Sequence, residues 1–140
     1  MSVGVLITDG RQFLACHSTG NSFYDLPKGL KEEGETPVEA GIRETREETG
    51  IELDAALLED LGVFPYLRNK DLHLFRWTAD QLPDVKQLRC TSYFIHPRSG
   101  KKIPEADGYK YVLFEQLEKD MAKSMAKLLR SLYPKEMDVL

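Results

Sequence analysis

The 140-residue chain is poor in cysteine and histidine and has no long apolar run. Its two cysteines, Cys16 and Cys90, match no metal or redox spacing, so we expect reduced thiols. The three histidines, His17, His73 and His96, lack the mutual spacing of metal ligands, and we assign them no catalytic role. No segment approaches the roughly 20 apolar residues of a membrane helix, and the N-terminus lacks a basic region. These absences predict a cytoplasmic protein without a membrane partner.

Length and charge set further limits. A chain of this size predicts a single domain over residues 1–140. The net charge of −4 is unevenly distributed, because residues 1–64 carry 5 basic and 13 acidic side chains, whereas residues 65–104 carry 8 basic and 3 acidic ones. The basic middle segment makes an anionic ligand plausible without locating it.

The strongest local pattern is a helix over residues 37–49. Thr36 and Glu39 form a capping box, Pro37 occupies the first helical position, and Gly50 suits the residue after the last turn. Gly41 lowers helix propensity, which predicts close packing against a neighbouring strand. The predicted inner face consists of Val38, Ile42, Thr45 and Thr49.

Three carboxylates crowd one face of this helix. Glu44, Glu47 and Glu48 are three and four residues apart, so they are neighbours that repel one another. A multiply charged cation would relieve this repulsion, and carboxylate oxygens are hard ligands that suit magnesium or manganese. The alternative interpretation is a solvated acidic helix with ordinary salt bridges.

The spacing around the carboxylates favours the first interpretation. Residues 29–51 resemble the signature of the Nudix hydrolase family, with every charged and glycine position matched. The matching residues are Gly29, Glu35, Arg43, Glu44, Glu47, Glu48, Gly50 and Ile51. Thr45 departs from the pattern, since relatives carry an aliphatic residue there.

The resemblance implies an α/β fold, the Nudix fold, in which a mixed sheet is sandwiched between helices. It also implies a Mg²⁺ (or Mn²⁺) site formed by Glu44, Glu47, Glu48 and the carbonyl of Gly29. Glu44 is in addition a candidate base, and Arg43 would orient the glutamates with Glu35 as its partner.

Relatives often complete the site with a carboxylate outside the box. The segment before the last predicted strand offers two candidates, of which Glu105 is the first and Asp107 the second. The alternative is that both are surface acids in a turn.

The implied reaction is hydrolysis of a phosphoanhydride in a nucleoside diphosphate linked to another moiety. Tyr24-Asp-Leu-Pro-Lys28 before Gly29 resembles hydrolases of dinucleoside polyphosphates, with Lys28 as a candidate phosphate ligand. Tyr66 is a candidate substrate-binding residue, and Tyr24, Phe64 and Trp77 are further candidates to stack a base.

Three functional interpretations stay open. The first is hydrolysis of a small nucleotide, either a dinucleoside polyphosphate or an ADP-ribose-type compound. The second is removal of pyrophosphate from RNA 5′ ends, which is disfavoured because no nucleic-acid-binding motif accompanies the box. The third is a non-catalytic nucleotide sensor, which would be expected to have a broken box. The sequence does not indicate an oligomeric state.

The remaining elements are expected to be strands followed by one amphipathic helix. Alternating or apolar runs predict strands at residues 3–8, 12–17, 57–67, 71–78 and 109–114, with extended segments at 23–26 and 90–96. The tail over residues 115–133 predicts a helix with Met121 and Met125 in the core, ended by Pro134.

Overall fold

A computed structural model describes residues 1–135, so residues 136–140 of the predicted single domain lie outside the described part of the chain. The strands are β1 Ser2–Thr8, β2 Gln12–Ser18, β3 Tyr24–Asp25, β4 Lys28–Leu30, β5 Glu59–Leu67, β6 Lys70–Thr78, β7 Tyr93–Ile95, β8 Lys102–Pro104 and β9 Ala106–Leu113. The helices are α1 Pro37–Thr49, α2 Leu117–Asp120 and α3 Lys123–Leu132. Short 3-10 turns occupy Ala55–Leu57, Val85–Gln87 and Phe114–Gln116.

Seven of these strands form one mixed sheet. Its main path is β3-β2-β1-β6-β5, with β9 added to β2 and β4 added to β1. β1 and β6 run parallel, whereas the other pairs in the sheet are antiparallel. β7 and β8 form a separate antiparallel ribbon.

The hairpin of β1 and β2 opens directly after its turn. The two strands pair at Thr8 and Phe13 and then diverge. β4 pairs with the Ser2 end of β1, and β3 pairs with the far end of β2. The segment from β3 to β4 therefore lies between the diverging strands, where the Val5 amide donates to the Pro27 carbonyl at 3.1 Å.

The two faces of the sheet carry separate apolar clusters. One cluster joins alternate β1 side chains to Phe75 of β6 and Ala40 of α1. The other joins Leu72 and Leu74 of β6 to the C-terminal helices. This arrangement confirms the predicted mixed sheet between helices. Within residues 1–135, no helix has the length and apolarity needed to cross a bilayer.

Helix α1 has the bounds and caps that its sequence predicts. The capping box of Thr36 and Glu39 is formed in both directions, and Gly50 is left-handed with φ of 81°. A Cβ on Gly41 would lie 3.2 Å from a Val5 methyl carbon, which confirms the close helix–strand approach.

The buried face of α1 differs from the predicted one. Thr45 and Thr49 are buried as expected, but Val38 and Ile42 are only partly buried. Glu44 and Glu48 are buried beside the two threonines. Both carboxylates face the segment between β1 and β2, where Glu48 meets the Lys28 amide and Glu44 meets Gly29.

The predicted C-terminal helix is broken into two. Met121 is extended, with φ of −82° and ψ of 149°, and forms a parallel bridge with Tyr24 of the short strand β3. The Ala122 amide donates to the Tyr24 carbonyl at 3.0 Å, which competes with helical bonding at this point. Met121 and Met125 are nevertheless buried in the core, as predicted.

A substitution at Thr45 tests this packing. Its side chain is fully buried, and its hydroxyl has no hydrogen-bond partner among residues 1–135. A buried unpaired hydroxyl is destabilising, so Thr45→Val is expected to raise the free energy of unfolding by about 1 kcal/mol. Urea denaturation measures this change.

Thr49→Val is the matched control, because it removes a hydroxyl that is bonded. Thr49 Oγ1 donates to the Thr45 carbonyl at 2.6 Å and accepts from the Ile51 amide at 3.1 Å. We expect the free energy of unfolding of this variant to fall by about 1 kcal/mol. A loss of stability in Thr45→Val would contradict the packing described here.

Candidate active site

A cavity of about 420 Å³ opens where β1 and β2 diverge. Its wall combines the ends of several elements, so residues distant in sequence meet there. The lining residues are Cys16, His17, Ser18, Thr19, Asn21, Asp25, Leu26, Lys28, Gly29, Glu48, Phe94, Glu105 and Ala106.

Glu44 and Gly29 are in direct contact beside this cavity. A Cβ on Gly29 would lie 2.1 to 2.3 Å from the carboxyl atoms of Glu44, so any side chain at position 29 would displace that carboxylate. Glycine is required here because of the close approach. The same pairing brings the backbone of Gly29 next to a candidate ligand.

Glu48 is held at the cavity wall by a backbone bond. Its Oε2 accepts from the Lys28 amide at 2.7 Å, and the residue is only 9 % exposed. Burial raises the pKa of Glu48 well above its ordinary value, with repulsion from Glu44 and Glu105 adding to the shift. Burial likewise raises the pKa of Glu44, against the attraction of Arg43.

Arg43 connects the carboxylates of the box. Its guanidinium donates to both oxygens of Glu35, at 2.6 and 3.1 Å. Nη1 also donates to Glu44 at 2.9 Å and to Glu47 at 3.1 Å, and Nη2 donates to the Leu30 carbonyl at 3.0 Å. Hydrogen bonds from Arg43 and from the Glu32 amide lower the pKa of Glu35 to about 2.

The C-terminal turn of α1 is fastened to the chain that leads into β7. The Thr91 amide donates to the Glu47 carbonyl at 2.6 Å, and the Arg89 amide donates to the Thr49 carbonyl at 3.0 Å. The Tyr109 hydroxyl donates to the carbonyl of Glu48. Sequence analysis missed Tyr109 as a positioning residue, because only the pairing of β9 with β2 brings it to α1.

The two acidic candidates before β9 have different surroundings. Glu105 lines the cavity, and its charge contributes to the raised pKa of Glu44 and of Glu48, after the larger effect of burial. Its backbone is fixed by bonds to Ser92 and Thr19. Asp107 instead pairs with Nδ1 of His17. Only the first candidate faces the other carboxylates.

Lys28 lines the cavity, whereas Tyr66 lies behind it. Lys28 Nζ is 3.6 Å from a carboxyl oxygen of Asp25 and lies over the Tyr66 ring at 5.6 Å. The Tyr66 hydroxyl donates to the same Asp25 carboxylate at 3.2 Å, and the ring packs on the core. Tyr66 thus supports Asp25 and Lys28 rather than forming part of the wall.

The other aromatic candidates belong to the core, since Tyr24 and Phe64 pack on one cluster and Trp77 on the other. The aromatic residue of the cavity wall is Phe94. Sequence analysis missed it, because a short exposed ribbon has no periodic signal. None of the basic side chains of residues 65–104 lines the cavity.

The carboxylates of the candidate site do not yet converge on one point where a divalent metal ion could bind. Among residues 1–135, no three His, Cys, Asp or Glu side chains converge closely enough to hold a metal as they stand. Glu44 and Glu47 turn toward Arg43, and Glu48 turns toward the Lys28 amide. The chemistry nevertheless fits, because carboxylate oxygens are hard ligands and burial disfavours the charged forms of Glu44 and Glu48, which a bound cation would favour.

Comparisons with known proteins match most of the chain. The family model of the NUDIX domain matches residues 1–132. An uncharacterised 17.7 kDa protein of Enterobacteria phage T4, from the e-segB intergenic region, is 37% identical over 113 residues, which is 79% of this chain and 74% of the phage protein.

Solved structures share the fold at low sequence identity. A Caenorhabditis elegans Ap4A hydrolase in a binary complex has a TM-score of 0.61 and 21% identity, over 95% of this chain and 96% of that one. A bifunctional NMN adenylyltransferase/ADP ribose pyrophosphatase from Francisella tularensis has a TM-score of 0.69 and 21% identity, over 96% of this chain but 40% of that one. The NUDIX domain of Shewanella oneidensis NrtR, complexed with ADP ribose, has a TM-score of 0.68 and 12% identity, over 94% of this chain and 84% of that one.

Arg43→Lys tests whether the planar guanidinium matters. A lysine keeps the charge but cannot bond Glu35, Glu44 and Glu47 together, so nucleotide hydrolysis is expected to fall roughly tenfold to hundredfold. The free energy of unfolding should fall as well. Steady-state kinetics and urea denaturation measure the two effects.

Arg46→Lys is the control on the same helix, because Arg46 is half exposed and lies 3.7 Å from the exposed Glu52. We expect it to leave both quantities unchanged. Full activity in Arg43→Lys would mean that only the charge at this position is needed.

Proposed function

The chain belongs to the Nudix family, and from that premise we propose that it is a divalent-metal-dependent hydrolase of a nucleoside diphosphate linked to another moiety. The observation that carries the proposal is the burial of Glu44 and Glu48 beside a cavity that also contains Glu105 and Lys28. Ionising a buried carboxylate is costly unless a charge or hydrogen bonds compensate it, so a cluster of such groups on a cavity favours a cation-binding site.

Glu44, Glu47, Glu48 and the Gly29 carbonyl are the groups that would hold the metal. A bound Mg²⁺ or Mn²⁺ ion supplies charge neutralisation at phosphate oxygens and lowers the pKa of a bound water. The residues must then converge from their present bonds to Arg43 and the Lys28 amide.

The chain's own groups perform the remaining tasks. Glu44 and Glu105 are candidates to accept the proton of the attacking water, since burial raises the pKa of Glu44 toward the working range of a general base. Arg43 keeps Glu44 and Glu47 in place, and Lys28 offers a cation to a phosphate oxygen. The bridging P–O bond breaks as the water oxygen bonds to phosphorus.

Dinucleoside polyphosphates are the first substrate candidate. Lys28 follows Pro27, which has a restricted backbone, and it lines the cavity together with Gly29 and Glu48. A substrate with several phosphates could contact the ligand set and Lys28 at once. The fold is shared with an Ap4A hydrolase over nearly the whole of both chains.

ADP-ribose is the second candidate, and one observation favours it. The basic side chains of residues 65–104 were expected to help bind a polyphosphate, but the cavity wall includes none of them. Among residues 1–135, Lys28 is the only Lys or Arg in that wall, and a substrate with two phosphates needs fewer cationic contacts than a polyphosphate. The Shewanella oneidensis domain of the same fold is complexed with ADP ribose.

The two other interpretations have less support. RNA 5′-end hydrolysis would need a cationic track leading to the cavity, and acidic Asp25, Glu48 and Glu105 dominate its wall instead. A pure nucleotide sensor has no need for the full set of box carboxylates, all of which are present. A cytoplasmic location and a small-molecule partner remain our predictions.

Glu48→Gln tests the metal site with two readouts. Turnover of a nucleotide substrate in Mg²⁺ is expected to fall by orders of magnitude, because the ligand set loses a charge. Glutamine still accepts a hydrogen bond from the Lys28 amide, so the fold is retained. Chromatographic separation of products from a nucleotide panel measures the first readout, and Glu47→Gln should show the same loss.

The second readout is the stability of the metal-free protein. The raised pKa of Glu48 means that the folded protein holds a proton that the unfolded chain releases near the ordinary value of 4.5. The contribution of Glu48 to stability is therefore fully present below pH 4.5 and is lost as pH rises through the folded pKa. Glu48→Gln should reduce this loss and raise Tm at pH 7, whereas Mg²⁺ should raise Tm more in the wild type.

Glu33→Gln, which changes an exposed carboxylate before α1, is the control and should alter none of these values. Equal turnover in wild type and Glu48→Gln, or an equal effect of Mg²⁺ on their Tm values, would refute the metal-site assignment.

Lys28→Ala tests the choice of substrate. Losing one charge-assisted phosphate contact should reduce kcat/KM for diadenosine tetraphosphate by roughly tenfold to a hundredfold, equivalent to about 1.5–3 kcal/mol. We expect a smaller reduction for ADP-ribose and a higher kcat/KM for the tetraphosphate in the wild type. Steady-state kinetics on both compounds provide the comparison.

Lys101→Ala, in the loop between β7 and β8, should leave both substrates unaffected, because Lys101 does not line the cavity. Faster turnover of ADP-ribose by the wild type, or equal slowing of both substrates in Lys28→Ala, would favour the second candidate.

A further inference from the structure

Part of the cavity wall carries neither a carboxylate nor a cationic side chain. The loop after β2 contributes Thr19 and Asn21, and the β7–β8 ribbon contributes Phe94. We call these three residues the recognition wall. They carry no formal charge, whereas the rest of the wall contains Asp25, Lys28, Glu48 and Glu105.

Phe94 lies opposite Ile103 in the β7–β8 ribbon, outside the core of the sheet. It is 38% exposed and belongs to neither apolar cluster of the sheet. Its neighbour Tyr93 has a partner, since Lys102 Nζ lies over that ring at 4.7 Å. No described aromatic ring or cation packs on Phe94. An unpartnered aromatic face on a cavity wall is suited to stacking with a planar ligand.

The loop after β2 supplies hydrogen-bonding groups that are not fully used within the protein. The Thr19 hydroxyl is buried and has no partner among residues 1–135. The Asn21 side chain donates to Ser18 Oγ at 2.7 Å, which leaves its carbonyl oxygen and one N–H available. A planar ligand with polar edges would use both the aromatic ring and these polar groups. A phosphate group would make no use of the ring.

We propose that the recognition wall is a nucleobase subsite, in which Phe94 stacks on the base while Thr19 and Asn21 contact its polar edge. This inference rests on the proposed function, because the diphosphate must then reach Gly29 and Glu48 in the same cavity. Bases of all kinds have an aromatic face, so the ring supplies binding strength and the loop supplies selectivity.

The subsite is physically connected to the carboxylates. β8 leads directly into Glu105, whose amide donates to the Ser92 carbonyl at 3.0 Å at the base of the ribbon. The Thr19 amide donates to the Glu105 carbonyl at 3.2 Å, which ties the loop to the same residue. A base held by the recognition wall therefore lies on elements that both fix the backbone of Glu105.

Binding measurements on the full-length chain test the proposal. Isothermal titration compares the four common nucleoside 5′-monophosphates with ribose 5-phosphate, which carries the same sugar and phosphate but no base. At least one nucleotide should bind fivefold or more tightly than ribose 5-phosphate. Phe94→Ala should reduce the affinity for that nucleotide roughly tenfold to hundredfold, given the usual strength of base stacking. The affinity for ribose 5-phosphate should not change.

Two further variants separate stacking from bulk. Phe94→Tyr keeps the ring and should bind the nucleotide like the wild type, whereas Phe94→Leu keeps much of the apolar surface and should not. Ile95→Ala is the matched control, because Ile95 is 63% exposed in the same strand and does not line the cavity. Thermal denaturation should give the same Tm for all four variants as for the wild type.

The outcomes distinguish this proposal from the one on which it rests. Equal binding of all nucleotides and ribose 5-phosphate, or an equal loss in Phe94→Ala and Ile95→Ala, would overturn the subsite. If nucleotide binding depends on Phe94 but the protein hydrolyses no nucleotide with Mg²⁺, the subsite is upheld and the proposed hydrolase activity is refuted.

Discussion

The hydrogen bond from the Lys28 amide to the Glu48 carboxylate is the contact on which the candidate site depends. A buried carboxylate is destabilising unless a donor meets it, and the amide is available because β3 and β4 lie between the diverging strands β1 and β2. The divergence of one hairpin thus creates the cavity and also supplies the donor. Gly29, the next residue, leaves room for Glu44 because it has no side chain.

Arg43 makes this concentration of negative charge tolerable. A single guanidinium bonds Glu35, Glu44 and Glu47 and reaches the Leu30 carbonyl, so it joins α1 to the end of β4. Glu48 lies outside this network, and its hydrogen bond comes from the neutral Lys28 amide, with a weaker charge interaction from the Lys28 side chain. The carboxylates are therefore unequally compensated, and the least compensated one lines the cavity. That is the position where a cation would gain most.

Local patterns predicted the helix and the overall architecture correctly, because their causes lie within a few residues. The bounds of α1 follow from Thr36, Pro37, Glu39 and Gly50, and the faces of β6 follow from simple alternation. The missed features are all non-local. Strands β4 and β8 are three residues each, and the break at Met121 results from its pairing with Tyr24, about a hundred positions away.

The contrast between local and non-local determinants also applies to the residues proposed for catalysis and those proposed for substrate recognition. The residues proposed for catalysis lie mostly in one continuous segment, where spacing along a helix and its preceding loop determines their contacts. The residues proposed for recognition come from a loop after β2 and a ribbon before β9, and only the folded sheet brings Thr19 and Phe94 to one cavity. Such segments have little periodicity, so their sequences vary without disturbing the core. A family pattern can therefore predict the bond that is cleaved, whereas the moiety attached to it depends on contacts that no local pattern encodes.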